Sequence, residues 1–329
     1  MRIFISETLP QCQVIELLSG KISTIESPIK PNLIDITSSI KQADAVLVPH
    51  DAFFLSKHPD YSDYLKFLNE ISQFKLIILS DRGDFPIRPN LKNSVSLRVA
   101  LAPSESTKQK VLVPYNILTL KDLEYRKYSR YPDISFMGFV PNPLSPQRFV
   151  KSFTHSPKHP LIGNGSLTRN ISVYKCKKNF PNFNCTIKKD YFLSNSDRKN
   201  RGITRKLYLE NINSSDIVLS PRGDSNQSQR YYEILSCGRI ALIPNTKISY
   251  PASLLESNIL ARQAIIFNLF SKNLESQVQE FWENIGGNRN YFKLQKEIRS
   301  FFAKNLDFSI FIKKLLGTDL DTFKATSNY

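Results

Sequence analysis

Residues 215–244 begin Ser215-Asp216-Ile217-Val218-Leu219-Ser220-Pro221-Arg222-Gly223. After the polar stretch 224–227 they continue Ser228-Gln229-Arg230-Tyr231-Tyr232-Glu233-Ile234-Leu235-Ser236-Cys237-Gly238-Arg239-Ile240-Ala241-Leu242-Ile243-Pro244. The reading is strand, loop, helix, strand. Ile217–Leu219 is a continuous apolar run, as a strand buried on both faces requires. Pro221-Arg222-Gly223 leaves the sheet at the carboxyl end of that strand. Ser228 has the residue type of an N-cap, whose hydroxyl can accept from a free backbone N–H of the first turn. The helix is expected over about Gln229–Cys237, with Gly238 as its left-handed stop and Arg239–Ile243 as the next strand. Two strands joined by a helix form a parallel pair, which commits this part of the chain to an α/β sheet.

Working outward, the same alternation recurs. Strand-length apolar runs are expected at Arg2–Ser6, Ala45–Pro49, Lys75–Leu79, Ser94–Ala100 and Val111–Val113, and a helical period spans Tyr61–Phe74. Thr119–Pro132 is charged, ends in Tyr-Pro, and reads as a connection. Beyond it, Asp133–Phe139, Ile171–Tyr174, Asp216–Ser220, Arg239–Ile243 and Ala264–Phe267 read as strands, and Pro146–Phe153 as a short helix. The segment Glu275–Leu316 carries helical spacing throughout. The expected architecture is therefore α/β, with two Rossmann-like units facing across a cleft. They would cover residues 1–131 and 132–285, followed by a helical segment 286–329.

Composition sets the function classes. The 329 residues include 45 Lys+Arg against 29 Asp+Glu, a formal net charge of +16, with 41% hydrophobic residues. That apolar content excludes a largely disordered chain, and no apolar run approaches the roughly 18–20 residues of a membrane span. Charge is concentrated: residues 147–206 hold 14 Lys/Arg and two acids, Asp190 and Asp197. Such a field draws anionic ligands, whether nucleotide diphosphates, acidic glycans, anionic head groups or nucleic acid. The four cysteines, Cys12, Cys176, Cys185 and Cys237, lack C-x-x-C spacing and read as free thiols. Met1-Arg2-Ile3-Phe4-Ile5 reads as a strand rather than a leader, so the expected location is cytoplasmic.

The central stretch also carries chemistry. A helix N-terminus offers free N–H groups and a partial positive charge, a natural seat for phosphate. Arg230 lies in the first turn, where a cation opposes the helix dipole, so an anionic ligand would explain its presence. Glu233 is on the same face one turn later, and a carboxylate can accept from both hydroxyls of a ribose. Arg222, on the preceding loop, can grip a diphosphate through two nitrogens. The plain alternative is an ordinary Arg230–Glu233 surface pair, worth about 0.3–0.5 kcal/mol.

This stretch resembles the C-terminal signature of the exostosin-like glycosyltransferases, bacterial members especially. The matching residues are Pro221, Gly223, Ser228, Arg230, Glu233, Gly238 and Ile240; upstream, Arg205-Lys206-Leu207-Tyr208 and Ser214-Ser215-Asp216 are also similar, as is Ala43–Pro49. The sequence departs from the family at Ser225, where glycine is frequent, and at Ala241, where proline is frequent. The resemblance implies a GT-B fold, with a nucleotide-sugar donor on the C-terminal half, an acceptor on the N-terminal half, and inversion at the anomeric carbon. The donor-site residues it implies are Arg222, Gly223, Ser228, Arg230 and Glu233, with Arg205 and Gly138 beside them. Glu-x7-Glu of retaining enzymes is absent, since Ala241 stands eight residues after Glu233; Asp319-Leu320-Asp321 reads as a chance Asp-x-Asp. No metal or other cofactor is therefore expected.

An inverting transfer needs a general base near the acceptor hydroxyl. Strand ends of the first unit offer His50, Asp51, Asp81 and Asp84, and Glu7 after the first strand; His50, Asp51 and Asp84 are the leading catalytic candidates. The expected function is a metal-independent, inverting glycosyltransferase in polysaccharide biosynthesis. Its partners would be a nucleotide-sugar donor and a glycan or lipid-linked acceptor, with peripheral contact to an anionic membrane face and no nucleic acid. The alternative is a non-catalytic polyanion-binding protein on a degenerate transferase fold, for which nucleic acid or an acidic glycan would be the partner.

Overall fold

The structure is a computed structural model describing residues 2–6, 21–22, 25–26, 35–51, 55–81, 91–98, 110–112, 114, 120, 124–140, 164–188, 201–223, 227–248, 250 and 259–317. Its first unit is a six-stranded parallel sheet built from β1 (Arg2–Ile5), β4 (Asp35–Thr37), β5 (Ala45–Asp51), β6 (Leu76–Asp81), β7 (Ser94–Arg98) and β8 (Lys110–Leu112), in the order β4-β1-β5-β6-β7-β8. Two short antiparallel strands, β2 (Lys21–Ile22) and β3 (Ile25–Glu26), pair with each other. Val46 and Val48 of β5 are fully buried, as their continuous apolar run requires. Helix α1 (Tyr61–Ser72) lays Tyr64, Leu68 and Ile71 on that sheet at intervals of four and three, and leaves the Asp63–Lys66 pair in solvent.

The second unit is a five-stranded parallel sheet, β10-β9-β11-β12-β13, made of β9 (Ile134–Phe139), β10 (Asn184–Lys188), β11 (Ile217–Leu219), β12 (Ile240–Pro244) and β13 (Ala264–Phe267). Helix α2 (Gly165–Asn179) carries the chain from β9 to the edge strand β10, and α3 (Arg201–Asn213) returns it to β11 on the far side of β9. Helix α4 (Gln229–Ser236) joins β11 to β12, and α5 (Ile259–Gln263) precedes β13. The two Rossmann-like units expected from the sequence are thus both present, in the chain organisation of a GT-B fold.

Two local expectations change. Ile171–Tyr174 is not a strand but the middle of α2. Asn164 caps that helix, its Oδ1 accepting from Leu167 N at 2.9 Å, and Val173 and Cys176 face the core. Four apolar-looking residues are too few to separate period two from period 3.6. The strand beside β9 is instead β10, whose exposed edge position needs no continuous apolar run. At α4, Ser228 holds the extended backbone of an N-cap, yet its hydroxyl makes no capping bond, because Tyr231 N already donates to the Ser228 carbonyl at 3.0 Å. The proposed helix at Pro146–Phe153 lies outside the described residues.

Helices α6 (Leu274–Ile285), α7 (Asn288–Phe301) and α8 (Phe308–Gly317) follow, with a π-helical turn at Phe302–Leu306. Trp282, Tyr291, Ile298 and Phe302 enter the same core cluster as the second sheet, so the tail packs with that unit. A polar network ties it down at the amino ends of the strands. The fully buried Asp216 accepts from Arg126 Nε at 2.7 Å, from Tyr291 Oη at 2.9 Å and from Asp133 N at 2.8 Å. Arg239, also fully buried, donates to Gln295 Oε1 at 2.6 Å and to the carbonyls of Glu124 and Asn213 at 2.8 and 2.9 Å. The connecting segment is held as well, since Trp282 Nε1 donates to Ser129 O at 2.8 Å and stacks on Tyr128 with ring centroids 4.8 Å apart.

Gly238 turns the chain from α4 into this network with φ of +68°. A Cβ there would lie 2.8 Å from the Gln295 carbonyl oxygen and 2.7 Å from Arg299 Cγ. Gly238→Ala is expected to cost at least roughly 1–2 kcal/mol for the left-handed backbone alone. A urea titration should show a lower midpoint with unchanged slope.

Candidate functional site

Ligands of open parallel sheets bind beyond the carboxyl ends of the strands, where the strand order reverses. In the second sheet that point lies between β9 and β11, because the chain leaves β9 for β10 and returns to β11. The carboxyl ends there are Met137-Gly138-Phe139 and Pro221-Arg222-Gly223. Three arginines from three elements converge on them.

Arg230, from the first turn of α4, reaches across to β9. Its Nη2 donates to the Met137 carbonyl at 2.7 Å and its Nε to Tyr208 Oη at 3.2 Å, while the guanidinium lies 4.5 Å from the centre of the Phe136 ring. Gly138 makes this approach possible, since a Cβ on it would stand 2.5 Å from Arg230 Nη2. Arg169 of α2 donates to the Phe139 carbonyl at 2.7 Å and to the Arg222 carbonyl at 3.2 Å. Arg222 is nearly fully buried, with Nε 3.4 Å from the Gly223 carbonyl.

Glu233 is buried one turn below Arg230. Its Oε1 accepts from Arg205 Nη1 and from Gln229 Nε2 at 3.1 Å, and its Oε2 accepts from Tyr208 Oη at 2.6 Å. Burial pushes the Tyr208 phenol far above its usual range, and the neighbouring Glu233 carboxylate adds to the shift. The phenol therefore stays protonated and donates to Glu233, leaving its oxygen lone pair for Arg230. Arg205 balances the charge of Glu233. Among the described residues no carboxylate lies within ion-pair distance of Arg230. The plain alternative, a surface Arg230–Glu233 pair, is not what forms.

The structure thus brings Gly138, Arg205, Arg230 and Glu233 into one cluster, with Arg222, Gly223 and Ser228 on the adjoining loop and cap. Sequence reasoning passed over Tyr208 and Arg169. A signal for the first was its spacing of three from Arg205 on one helix, which puts both on one face. A signal for the second was its position in the first turns of a helix that starts at the carboxyl edge.

The first sheet reverses its order between β1 and β5. Ser6 and His50 are at that edge, and Asp51 closes β5 opposite Ser80 of β6. His50 is fully buried with its ring edge-on to Tyr64, centroids 6.3 Å apart, and Tyr64 Oη lies 2.5 Å from Ser6 Oγ. The ring thus presents no exposed nitrogen. Asp84 and Glu7 lie outside the described residues, as do Ser225 and Cys12. Cys176, Cys185 and Cys237 are free thiols; burial pushes Cys237 up to about 12. None of the described helices is long and apolar enough to cross a membrane.

No protein family and no curated protein matches the chain. Solved structures do. A glycosyltransferase from Rickettsia africae ESF-5 is 14% identical over 84% of this chain and 76% of its own, with a TM-score of 0.44. The catalytic domain of starch synthase IV from Arabidopsis thaliana, bound to ADP and acarbose, is 11% identical over 84% and 72%, with a TM-score of 0.42. An alpha-glucosyltransferase in complex with UDP-glucose and DNA containing an abasic site is 12% identical over 84% and 80%, with a TM-score of 0.40. At such identities and TM-scores, chemistry has to be read from this chain's own side chains.

What those side chains offer is an oriented guanidinium with no carboxylate counter-ion among the described residues, beside a helix N-terminus. Gly138→Ala should push Arg230 off the Met137 carbonyl while leaving the fold intact, at a cost of about 1 kcal/mol. Inorganic pyrophosphate binding, followed by calorimetry, should weaken in the variant, and the denaturation midpoint should move little.

Proposed function

We propose that the chain is a glycosyltransferase that takes a sugar from a nucleotide-sugar donor, with the donor's diphosphate on the second unit. The observation that carries this reading is Arg230. Its cation is desolvated on one side, steered by a carbonyl and a phenol, backed by an aromatic face, and free of any carboxylate among the described residues. A cation held this way is costly unless an anion completes it. The site stands at the order reversal of a parallel sheet and beside a helix N-terminus, where phosphate groups are favoured. The exostosin-like signature falls on the same residues, which supports inverting, metal-independent transfer to a glycan or lipid-linked acceptor.

In such a transfer an acceptor hydroxyl oxygen attacks the anomeric carbon. The bond from that carbon to the diphosphate oxygen breaks, its electron pair leaves with the nucleoside diphosphate, and the acceptor proton goes to a base. Arg230 and the first-turn N–H groups of α4 would stabilise the growing charge on the leaving diphosphate. Asp51, at the order reversal of the first sheet, and Asp84, outside the described residues, remain the candidate bases.

Thermal melting with UDP, GDP, CDP, ADP and dTDP tests the reading. One nucleotide should stabilise the chain selectively, and Arg230→Gln should weaken that binding about 10–100-fold, the worth of a hydrogen bond to a charged group. If no nucleotide stabilises the protein and heparin or nucleic acid binds with steep salt dependence, a polyanion-binding role replaces the enzyme.

A further inference from the structure

Glu233 stands where a ribose-binding carboxylate is expected, but its hydrogen bonds are already placed. A carboxylate offers about four lone-pair positions. Arg205 and Gln229 take two on Oε1, and Tyr208 takes one on Oε2. The group is also almost wholly buried. One remaining position cannot receive both hydroxyls of a ribose. Tyr208, in contrast, touches both charged groups of the cluster. Its oxygen gives its proton to Glu233 at 2.6 Å and takes the Nε hydrogen of Arg230 at 3.2 Å, and its ring lies under both guanidinium groups, 5.4 Å from Arg205 and 5.5 Å from Arg230.

We infer that Tyr208 and Glu233 are positioning residues for Arg230, and that Glu233 does not bind the pentose of the donor. Glu233 fixes the direction of the Tyr208 hydroxyl, the hydroxyl fixes Arg230 Nε, and the Met137 carbonyl fixes Nη2. Two anchors on a planar guanidinium leave it one orientation, with the remaining Nη1 edge as the part that meets the ligand. Arg205 neutralises Glu233, so the relay orients Arg230 without cancelling its charge. Because the hydroxyl is held protonated by burial, the relay persists across the physiological pH range.

This inference rests on the diphosphate reading of the site, and its test separates the two. Calorimetry would compare wild type, Tyr208→Phe and Glu233→Gln with inorganic pyrophosphate, and with UDP, GDP, CDP and ADP against their 2′-deoxy counterparts. Tyr208→Phe should weaken pyrophosphate binding roughly tenfold. Glu233→Gln should weaken ribo- and deoxyribonucleotides by the same factor, because it acts through Arg230 and not on the sugar.

A Tyr208→Phe protein with wild-type pyrophosphate affinity overturns the inference and leaves the diphosphate site standing. So does a Glu233→Gln protein that selectively loses a preference for ribose over deoxyribose. A wild-type protein that binds none of these diphosphates overturns the site reading itself. The two variants alter different groups, so if one fails to fold the other still decides. A merely structural role for Tyr208 would lower the melting temperature while leaving pyrophosphate affinity unchanged.

Discussion

A carboxylate removed from water must be met by donors, and Asp216 is met from three directions. Arg126 and Asp133 belong to the segment that enters the second unit, and Tyr291 belongs to a helix near the chain end. One buried charge therefore fixes how the connection, the sheet and the tail come together. Removing one partner of such a group typically costs about 3–5 kcal/mol, because the remaining charge is left unpaired. Arg239 repeats the device at the start of the adjacent strand, with backbone carbonyls and Gln295 in place of a carboxylate. These groups occupy the amino edge of the sheet and hold it rigid.

The carboxyl edge is built differently. There the arginines bond to carbonyls at the end of β9 and in the loop that leaves β11, and one acid, Glu233, is matched to one base, Arg205. At the amino edge the Asp216 carboxylate is met by a guanidinium and neutral donors, whereas Arg230 at the carboxyl edge meets no carboxylate among the described residues. That asymmetry separates support from function within one sheet. Strand carbonyls at the switch point are held by pairing on both sides of β9, so a guanidinium tied to them is oriented before a ligand arrives, and less ordering is needed on binding.

Much of this was legible from residue order. The strands at Ala45, Leu76, Ile217, Ile240 and Ala264 are continuous apolar runs, because a parallel sheet buries both faces. The stop at Gly238 was legible because glycine adopts φ of +68° without the steric cost a side chain brings. The edge strand at Asn184–Lys188 was not, since an exposed edge imposes no apolar pattern, and Ile171–Tyr174 has the look of a strand because its helical period needs more residues to emerge. The importance of Arg230 was visible from its unfavourable place in a helix's first turn. The true partners of Glu233 were not, because Arg205 and Tyr208 lie on another helix and nothing local joins them.

Sequence by itself determined the α/β alternation, the two successive units, the helix over Gln229–Ser236 and the residue types at its start. These follow from local periodicity and backbone preference, which act over a few residues. Only the tertiary structure decided that Glu233 pairs with Arg205 and Tyr208 rather than Arg230, that Arg230 turns to the end of β9, and that His50 packs against Tyr64. Those choices depend on which strands become neighbours. Strand order is set by crossovers spanning tens of residues, and competition among donors for one carboxylate is resolved only when they meet in space.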